Sequence, residues 1–413
     1  MKIRFESTTR VMKKTVFTVL AASMLMLGSP TEHHSSAAAA SFKDVPSSHW
    51  AKTAIDQAVS KGYFKGYADG TFKPSASVTR AEFAVLLDRV STNQADGTSA
   101  SFSDVTGNWS ESGVKSASAK GFITTADYPN GFKPSTPITR KEMAKWMSSG
   151  LAAESDDYKQ ALSDTADTVV PVAEYFKKTM SKSDLPYVSV VIGTGLMGGY
   201  ADGTFGPVKT TTRAEAAVIL MRLADVQSKK ADSFSDLNEL REVGTTGTNL
   251  KSITNLSTGI TKFENVQFKK MNFKNGAGKS TLNYFLVVDT RDWKNRKSIY
   301  NSTFVVEDER RPDEKDYYRV YIQQTLYPEK KGFSRDDYMN SSTDHWAVGV
   351  AIRNELPKKY GYQTLPTGDP IEPFQKYVSN QIGMEIWTRN YIEADNSLAT
   401  YRTDDGSIFS ITM

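Results

Sequence analysis

Three arginines stand in the most repetitive chemistry of this chain. Each follows a threonine and lies two places before a glutamate: Thr79-Arg80-Ala81-Glu82, Thr139-Arg140-Lys141-Glu142 and Thr212-Arg213-Ala214-Glu215. Thr-x-x-Glu ahead of an apolar run is a capping box. The hydroxyl takes the N–H of the third helical residue and the carboxylate returns to the threonine N–H. Helix stability thus accounts for the threonine and the glutamate, but not for the arginine. A cation in the first turn faces the positive end of the helix dipole, which is mildly unfavourable. The residues alone leave two partners open for it: an external anion beside outward-pointing N–H groups, or a carboxylate from a neighbouring repeat.

Behind each box lies the same frame. The first unit opens Phe42-Lys43-Asp44-Val45 with His49-Trp50, continues with Ile55, Ala58 and Val59 at helical spacing, and reaches Gly62. A turn, Tyr67-Ala68-Asp69-Gly70-Thr71-Phe72, then leads through Pro74 to the capped helix, with Phe83, Leu86, Leu87 and Val90 on one face. The second unit repeats the opening at Phe102-Ser103-Asp104-Val105 with Trp109, and has Asn130-Gly131-Phe132 as its turn. In the third, Ser163-Asp164 is read as the opening, and a polar insertion precedes Val188, Val191 and Ile192. Gly199-Tyr200-Ala201-Asp202-Gly203-Thr204-Phe205 then repeats the turn, and Ser183 stands where the first unit has Trp50.

The three units resemble S-layer homology domains, on the Phe-x-Asp-Val…Trp opening, the Gly-Tyr-Ala-Asp-Gly-Thr-Phe turn and the Thr-Arg-Ala-Glu helix start. The resemblance covers roughly residues 41–226. It implies an all-α, pseudo-threefold module of helix–loop–helix lobes, attached without covalent bonds to the secondary polysaccharide or peptidoglycan of a Gram-positive wall. The polysaccharide of such walls often carries pyruvate ketals, and the family's sugar grooves lie between lobes. The carbohydrate-binding residues so implied are Arg80, Arg140, Arg213, Trp50 and Trp109, with Gly66, Asp69, Gly199 and Asp202 of the turns. An arginine can hold a ketal carboxylate through two parallel charge-assisted hydrogen bonds.

Composition bounds the rest. With 413 residues there is room for two or three domains, and a formal charge of +4 is too slight to argue for nucleic acid. Cysteine is absent, which removes disulfides, thiolate metal sites and cysteine nucleophiles. Lys2, Arg4, Arg10, Lys13 and Lys14 precede an apolar stretch from Val16 to Leu27, and Ala37–Ala40 supply small residues for cleavage. Residues 1–40 therefore read as a secretory signal, and no later segment approaches the ~20 apolar residues of a membrane helix. The expected divisions are repeats at 41–95, 96–155 and 156–226, a linker at 227–250 and a β-rich domain at 251–413.

That last domain reads as strands at Leu282–Val288, Tyr300–Val306, Tyr318–Ile322, Trp346–Ile352, Met384–Ile392 and Ile408–Met413, with one short helix from Pro373 to Gln381. A β-sandwich, or an antiparallel sheet capped by that helix, is expected. Its tempting motifs fail on inspection. Asn275-Gly276-Ala277-Gly278-Lys279-Ser280-Thr281 lacks the first glycine of a phosphate loop and reads as a hairpin turn. Leu365-Pro366-Thr367-Gly368 is one residue short of a sortase signal. Only His49 and His345 lie beyond the signal, too few for a histidine zinc site. No catalytic residue, metal or cofactor is assigned.

The reading is a secreted, wall-anchored surface protein displaying a structural or interaction domain. One alternative is a tethered wall or polysaccharide hydrolase, for which Glu372, Glu385, Glu393 and Asp395 near Trp387, Tyr377 and Tyr391 would be the acids. The other is homo-association into a surface lattice.

Overall fold

The structure is a computed structural model that describes residues 42–94, 97, 99–258, 261–306, 314–341, 349–366, 383–395 and 399–412. The first repeat pairs α1 (Lys52–Ser60) with α2 (Arg80–Val90), and the second pairs α3 (Glu111–Ala119) with α4 (Arg140–Glu154). Two inserted helices follow, α5 (Asp156–Asp164) and α6 (Ala173–Phe176), before the third pair, α7 (Leu185–Gly193) and α8 (Arg213–Val226).

All three capping boxes form, with both the hydroxyl and the carboxylate half present at Thr79, Thr139 and Thr212. The other first-turn N–H groups are used between repeats. Arg80 and Ala81 donate to the carbonyls of Thr136 and Pro134 at 2.9 and 3.0 Å. Arg140 and Lys141 donate likewise to Lys209 and Pro207. Arg213 and Ala214 return to Ala76 and Pro74 of the first repeat, at 2.8 and 3.0 Å. The three lobes therefore close into a cycle, each helix start seated on the segment that follows the next lobe's turn. Val78, Ile138 and Thr211, all fully buried, lie at matching places in its centre. A continuous apolar core runs beneath, from Phe42, Ile55 and Phe83 through Phe132 and Trp146 to Val191, Phe205 and Leu220.

Each opening acid ties its lobe together by accepting two backbone N–H groups after the turn. Asp44 takes those of Phe72 and Lys73, and Asp104 those of Phe132 and Lys133. In the third lobe the acid is Glu174, which takes Phe205 and Gly206 at 2.9 and 2.8 Å. Ser163-Asp164 is thus not the third opening. Asp164 pairs instead with Arg241 at 2.9 Å, and the longer glutamate holds the tie from beyond the insertion.

Within the expected linker at 227–250, residues 235–246 form α9 (Ser235–Thr246), ended by Gly247 at φ 75°. Leu237, Glu239, Leu240 and Val243 of this helix are buried, so the chain passes into the second half without a break in packing. After α10 (Leu250–Ile253), strands β1 (Lys270–Asn272) and β2 (Gly278–Val288) form a hairpin, α11 (Asn301–Phe304) follows, and then come β3 (Tyr317–Pro328), α12 (Arg335–Met339), α13 (Leu356–Tyr360), β4 (Met384–Glu393), β5 (Ala399–Arg402) and β6 (Ile408–Ile411).

The sheet is antiparallel in the order β1-β2-β3-β4, and β5 and β6 make a separate pair. One sheet face, with Leu286, Tyr321 and Trp387, packs on Phe304, Tyr362, Leu240 and Val243, and on Phe176 of the insertion. The opposite face, with Phe285, Val287, Val320 and Ile392, packs on Phe263, Tyr401, Phe409 and Ile411. The antiparallel-sheet expectation is met, with several short helices rather than one. The glycine turn joins β1 to β2 as expected, Gly276 taking φ 67°.

Tyr300–Val306 is not a strand. Asn301–Phe304 is a helical turn that lays Phe304 on Tyr321, ring centroids 4.5 Å apart at 14°. A short alternating run cannot distinguish a pleated edge from a turn that buries a few aromatic rings. Of the proposed strand at Trp346–Ile352, residues 346–348 and His345 lie outside the described residues, and Val350 makes one bridge to Arg389. The proposed helix at 373–381 also lies outside them, with Glu372 and Tyr377.

Clefts at the repeat junctions

The three arginines do not reach outward into solvent. Each inserts beneath the turn of the next lobe. Arg140 is 5% exposed and donates from Nε to the Phe205 carbonyl at 2.8 Å and from Nη2 to that of Gly198 at 2.6 Å. Arg213, 7% exposed, makes the same pair of bonds to Phe72 at 2.8 Å and Lys65 at 3.0 Å. Burial pushes the Arg140 guanidinium below its ordinary value, and the Tyr200 ring, Glu215 and Glu174 oppose that shift. A tyrosine of the turn lies under each guanidinium: Tyr200 at 4.8 Å from Arg140, Tyr67 at 5.0 Å from Arg213 and Tyr128 at 5.0 Å from Arg80.

Arg80 differs from the other two. Its Nε and Nη2 both donate to Glu142 Oε1, at 2.9 and 2.6 Å, and its Nη1 to the Phe132 carbonyl at 3.0 Å. Residues 125–127, before the tyrosine of the second turn, form a single 3-10 turn. Arg80 accordingly takes a carboxylate where its counterparts take a second backbone carbonyl. For this arginine the partner is the carboxylate of a neighbouring repeat, one of the two options the sequence left open. For the other two it is backbone. The expectation of free N–H groups beside an external anion also fails, because the first-turn donors bond the next lobe.

Two open clefts lie at these junctions. The first, about 490 Å³, is lined by Arg80, Glu142, Tyr128, Lys133, Lys141 and Lys145, with Asp127 and Asp184. Lys145 pairs with Asp127 at 2.6 Å, and Lys141 faces Asp184 at 3.9 Å. The tryptophan lining this cleft is Trp146, which is almost fully buried, and Asp184, next to Ser183, stands on its wall. The second cleft, about 200 Å³, brings Arg213, Lys65, Tyr67, Glu82 and Arg89 together with Trp109. Burial and the nearby Glu142 push the Tyr128 phenol well above its usual range.

Trp50 and Trp109 are 66% and 67% exposed, although they open their repeats and precede the first helices. Packing therefore does not explain them. The buried tryptophan of this half is Trp146, which donates to the Tyr128 hydroxyl at 2.9 Å and stacks on Phe132. The turn residues have local duties. Asp69 accepts the Thr71 N–H and hydroxyl at 3.0 and 2.6 Å, and Asp202 repeats this with Thr204. These bonds hold both carboxyls below the usual carboxylate range. At Gly66 a side chain would meet the Phe42 ring at 2.2 Å, and at Gly199 the Thr204 carbonyl at 3.1 Å.

The sequence reading missed Tyr67, Tyr128 and Tyr200, Glu142 and the lysines. The tyrosines had a signal, since each occupies the same place before its turn.

In the second half Glu385 is held by Lys178 at 2.8 Å and Gln323 Nε2 at 2.8 Å, while Trp387 is buried in the aromatic face of the sheet. Among the described residues, no group of three or more metal-binding side chains occurs, and no helix is long and apolar enough to cross a membrane.

Residues 41–84, 101–144 and 177–217 match the family model of the S-layer homology domain. Cell surface glycoprotein 1 of Acetivibrio thermocellus is 37% identical over 123 residues, 27% of this chain and 5% of that protein. The cellulosome-anchoring protein of the same organism is 37% identical over 107 residues, 24% of each chain. S-layer protein sap of Bacillus anthracis is 30% identical over 205 residues, 47% of this chain and 24% of its own length. The chain thus spans about a quarter or less of these relatives.

Proposed function

We propose, for a chain that carries three S-layer homology domains and is a cell-surface, wall-associated protein, that the junction clefts bind an anionic, pyruvylated wall polysaccharide. The exposed indole of Trp109, beside Arg213 and Tyr67, is the observation that carries this reading. A tryptophan left two-thirds exposed on the rim of a cationic cleft offers an apolar face for a sugar ring. Trp50, equally exposed, offers a second such face. The guanidiniums then act by fixing the turns and by lending charge through partly buried positions, while Lys65, Arg89, Lys133 and Lys141 supply surface cations. Weak binding in several clefts on one rigid ring adds up through effective concentration. The second half of the chain is carried on that anchor as a structural or interaction domain.

The test is co-sedimentation of the protein with isolated walls before and after their secondary polysaccharide is stripped by acid. Retention that depends on the polysaccharide and drops in Trp109→Ala supports the reading. Equal retention on stripped walls overturns it.

A further inference from the structure

The third lobe lacks a side chain that the first possesses, and the second half of the molecule fills the gap. In the first lobe Lys43 precedes the tying acid Asp44, and its N–H bonds the Gly70 carbonyl at 3.1 Å. Its side chain runs along the turn, so that a Cβ on Gly70 would lie 3.4 Å from Lys43 Cε. The matching residue in the third lobe is Ala173, before Glu174, and its N–H bonds the Gly203 carbonyl at 2.8 Å. Alanine cannot reach along the turn. There, a Cβ on Gly203 would lie 3.4 Å from Lys359 Cε and 3.0 Å from the Tyr360 ring. Lys359 and Tyr360 belong to α13, 156 residues or more further along the chain.

The placement of α13 is firm. Tyr360 is 3% exposed and meets Phe176 edge-on at 6.1 Å. Phe176 also contacts Phe304, Tyr362 and Trp387. Gly361, at φ 86°, ends the helix against the Lys177 stem, where any side chain would collide at 2.4 Å. Hydrogen bonds from Tyr300, just before α11, to the Val169 carbonyl and from Tyr284 of β2 to that of Asp167, both 2.8 Å, fasten the same insertion to the second half. Neither Lys43 nor Lys359 has a carboxylate partner among the described residues.

We propose that Lys359 of the second half is a binding residue of the Arg140–Tyr200 junction, supplying to the third turn the cation that Lys43 supplies to the first. The ligand class is that of the proposed function on which this inference rests, a carbohydrate bearing a carboxylate. The second half is then part of the anchor and not solely its cargo. Tyr360 acts as a positioning residue that holds the Lys359 stem against Gly203.

The experiment is a titration of the full chain, followed by backbone amide NMR, with a methyl hexopyranoside carrying a 4,6-pyruvate ketal. Amides of Tyr67 and Gly70 report the first turn, and those of Tyr200 and Gly203 the third. Lys359→Glu is expected to weaken binding read at the third turn by about five-fold or more and to leave the first turn unchanged. Lys43→Glu is expected to do the reverse. Lys43 is exposed and Lys359 half-buried beside the Tyr360 ring, and the melting temperatures of both variants check that they fold. Third-turn shifts that titrate identically in wild type and Lys359→Glu overturn the inference while the carbohydrate reading stands. Shifts at neither turn of the wild type overturn both.

Discussion

Glu142 holds Arg80 with one oxygen and its own helix start with the other. Oε1 accepts both Arg80 bonds, and Oε2 accepts the Thr139 N–H and hydroxyl at 3.0 and 2.8 Å. One carboxylate thereby joins two lobes and caps a helix. Glutamine can preserve only one of these roles, since its amide nitrogen must face either the guanidinium or the cap. Glu142→Gln is expected to lower stability by about 1–3 kcal/mol, measured by urea unfolding. The matching change Glu215→Gln, at a cap whose carboxylate accepts no arginine hydrogen bond among the described residues, is expected to cost less.

The two kinds of tryptophan should separate binding from folding. Trp109→Ala removes a ring that is 67% exposed, and its melting temperature should match the parent while polysaccharide retention falls. Trp146 is 1% exposed, and Trp146→Ala should cost about 3–5 kcal/mol through the cavity it leaves. Calorimetry alongside wall co-sedimentation reads both.

Thr211 sits fully buried in the centre of the ring with no partner for its hydroxyl, where the other lobes carry Val78 and Ile138. Valine has nearly the same shape and no oxygen to desolvate. Thr211→Val is expected to stabilise the protein by about 1 kcal/mol, visible as a higher denaturant midpoint at unchanged slope.

Glu239 is 2% exposed between α9 and the sheet, accepting bonds from Asn249 Nδ2, the Ser298 hydroxyl and the Ile299 N–H. Burial raises its carboxyl from 4.5 to about 7, with Asp236 adding to the rise and the three donors opposing it. The folded state therefore holds this proton more tightly than the unfolded chain. Its contribution to stability is greatest below pH 4.5, declines as pH rises through the interval to about 7, and is lost above it. The total swing is about 3 kcal/mol. Unfolding measured at pH 5 and pH 8 should show the decline, and Glu239→Gln should flatten this part of the profile.

Interactions close in sequence could be read directly. The boxes at Thr79, Thr139 and Thr212 involve residues three apart, and all three form. The acceptors of Arg80, Arg140 and Arg213 could not be read the same way. They lie 52 to 148 residues away in the next lobe of a closed cycle, and two of the arginines end on backbone carbonyls that carry no side-chain signature. Glu174 was hidden because the insertion moved the third opening acid away from Asp164 and lengthened it by a methylene. Phe304 was misread because Tyr300–Val306 alternates as a strand does, yet its aromatics are drawn to Tyr321, which only the fold brings near. The exposure of Trp50 and Trp109 is likewise a property of the assembled ring.

The return of Arg213 and Ala214 to Pro74 and Ala76 has a consequence for how such a module can change in length. A linear array can lose its last unit and leave the others paired as before. Here every unit is both donor and acceptor, so deleting one opens two seams at once and leaves helix-start N–H groups without carbonyls. A fragment of one or two units should therefore remain unfolded or recruit missing lobes from another molecule, and growth should proceed by adding whole trios.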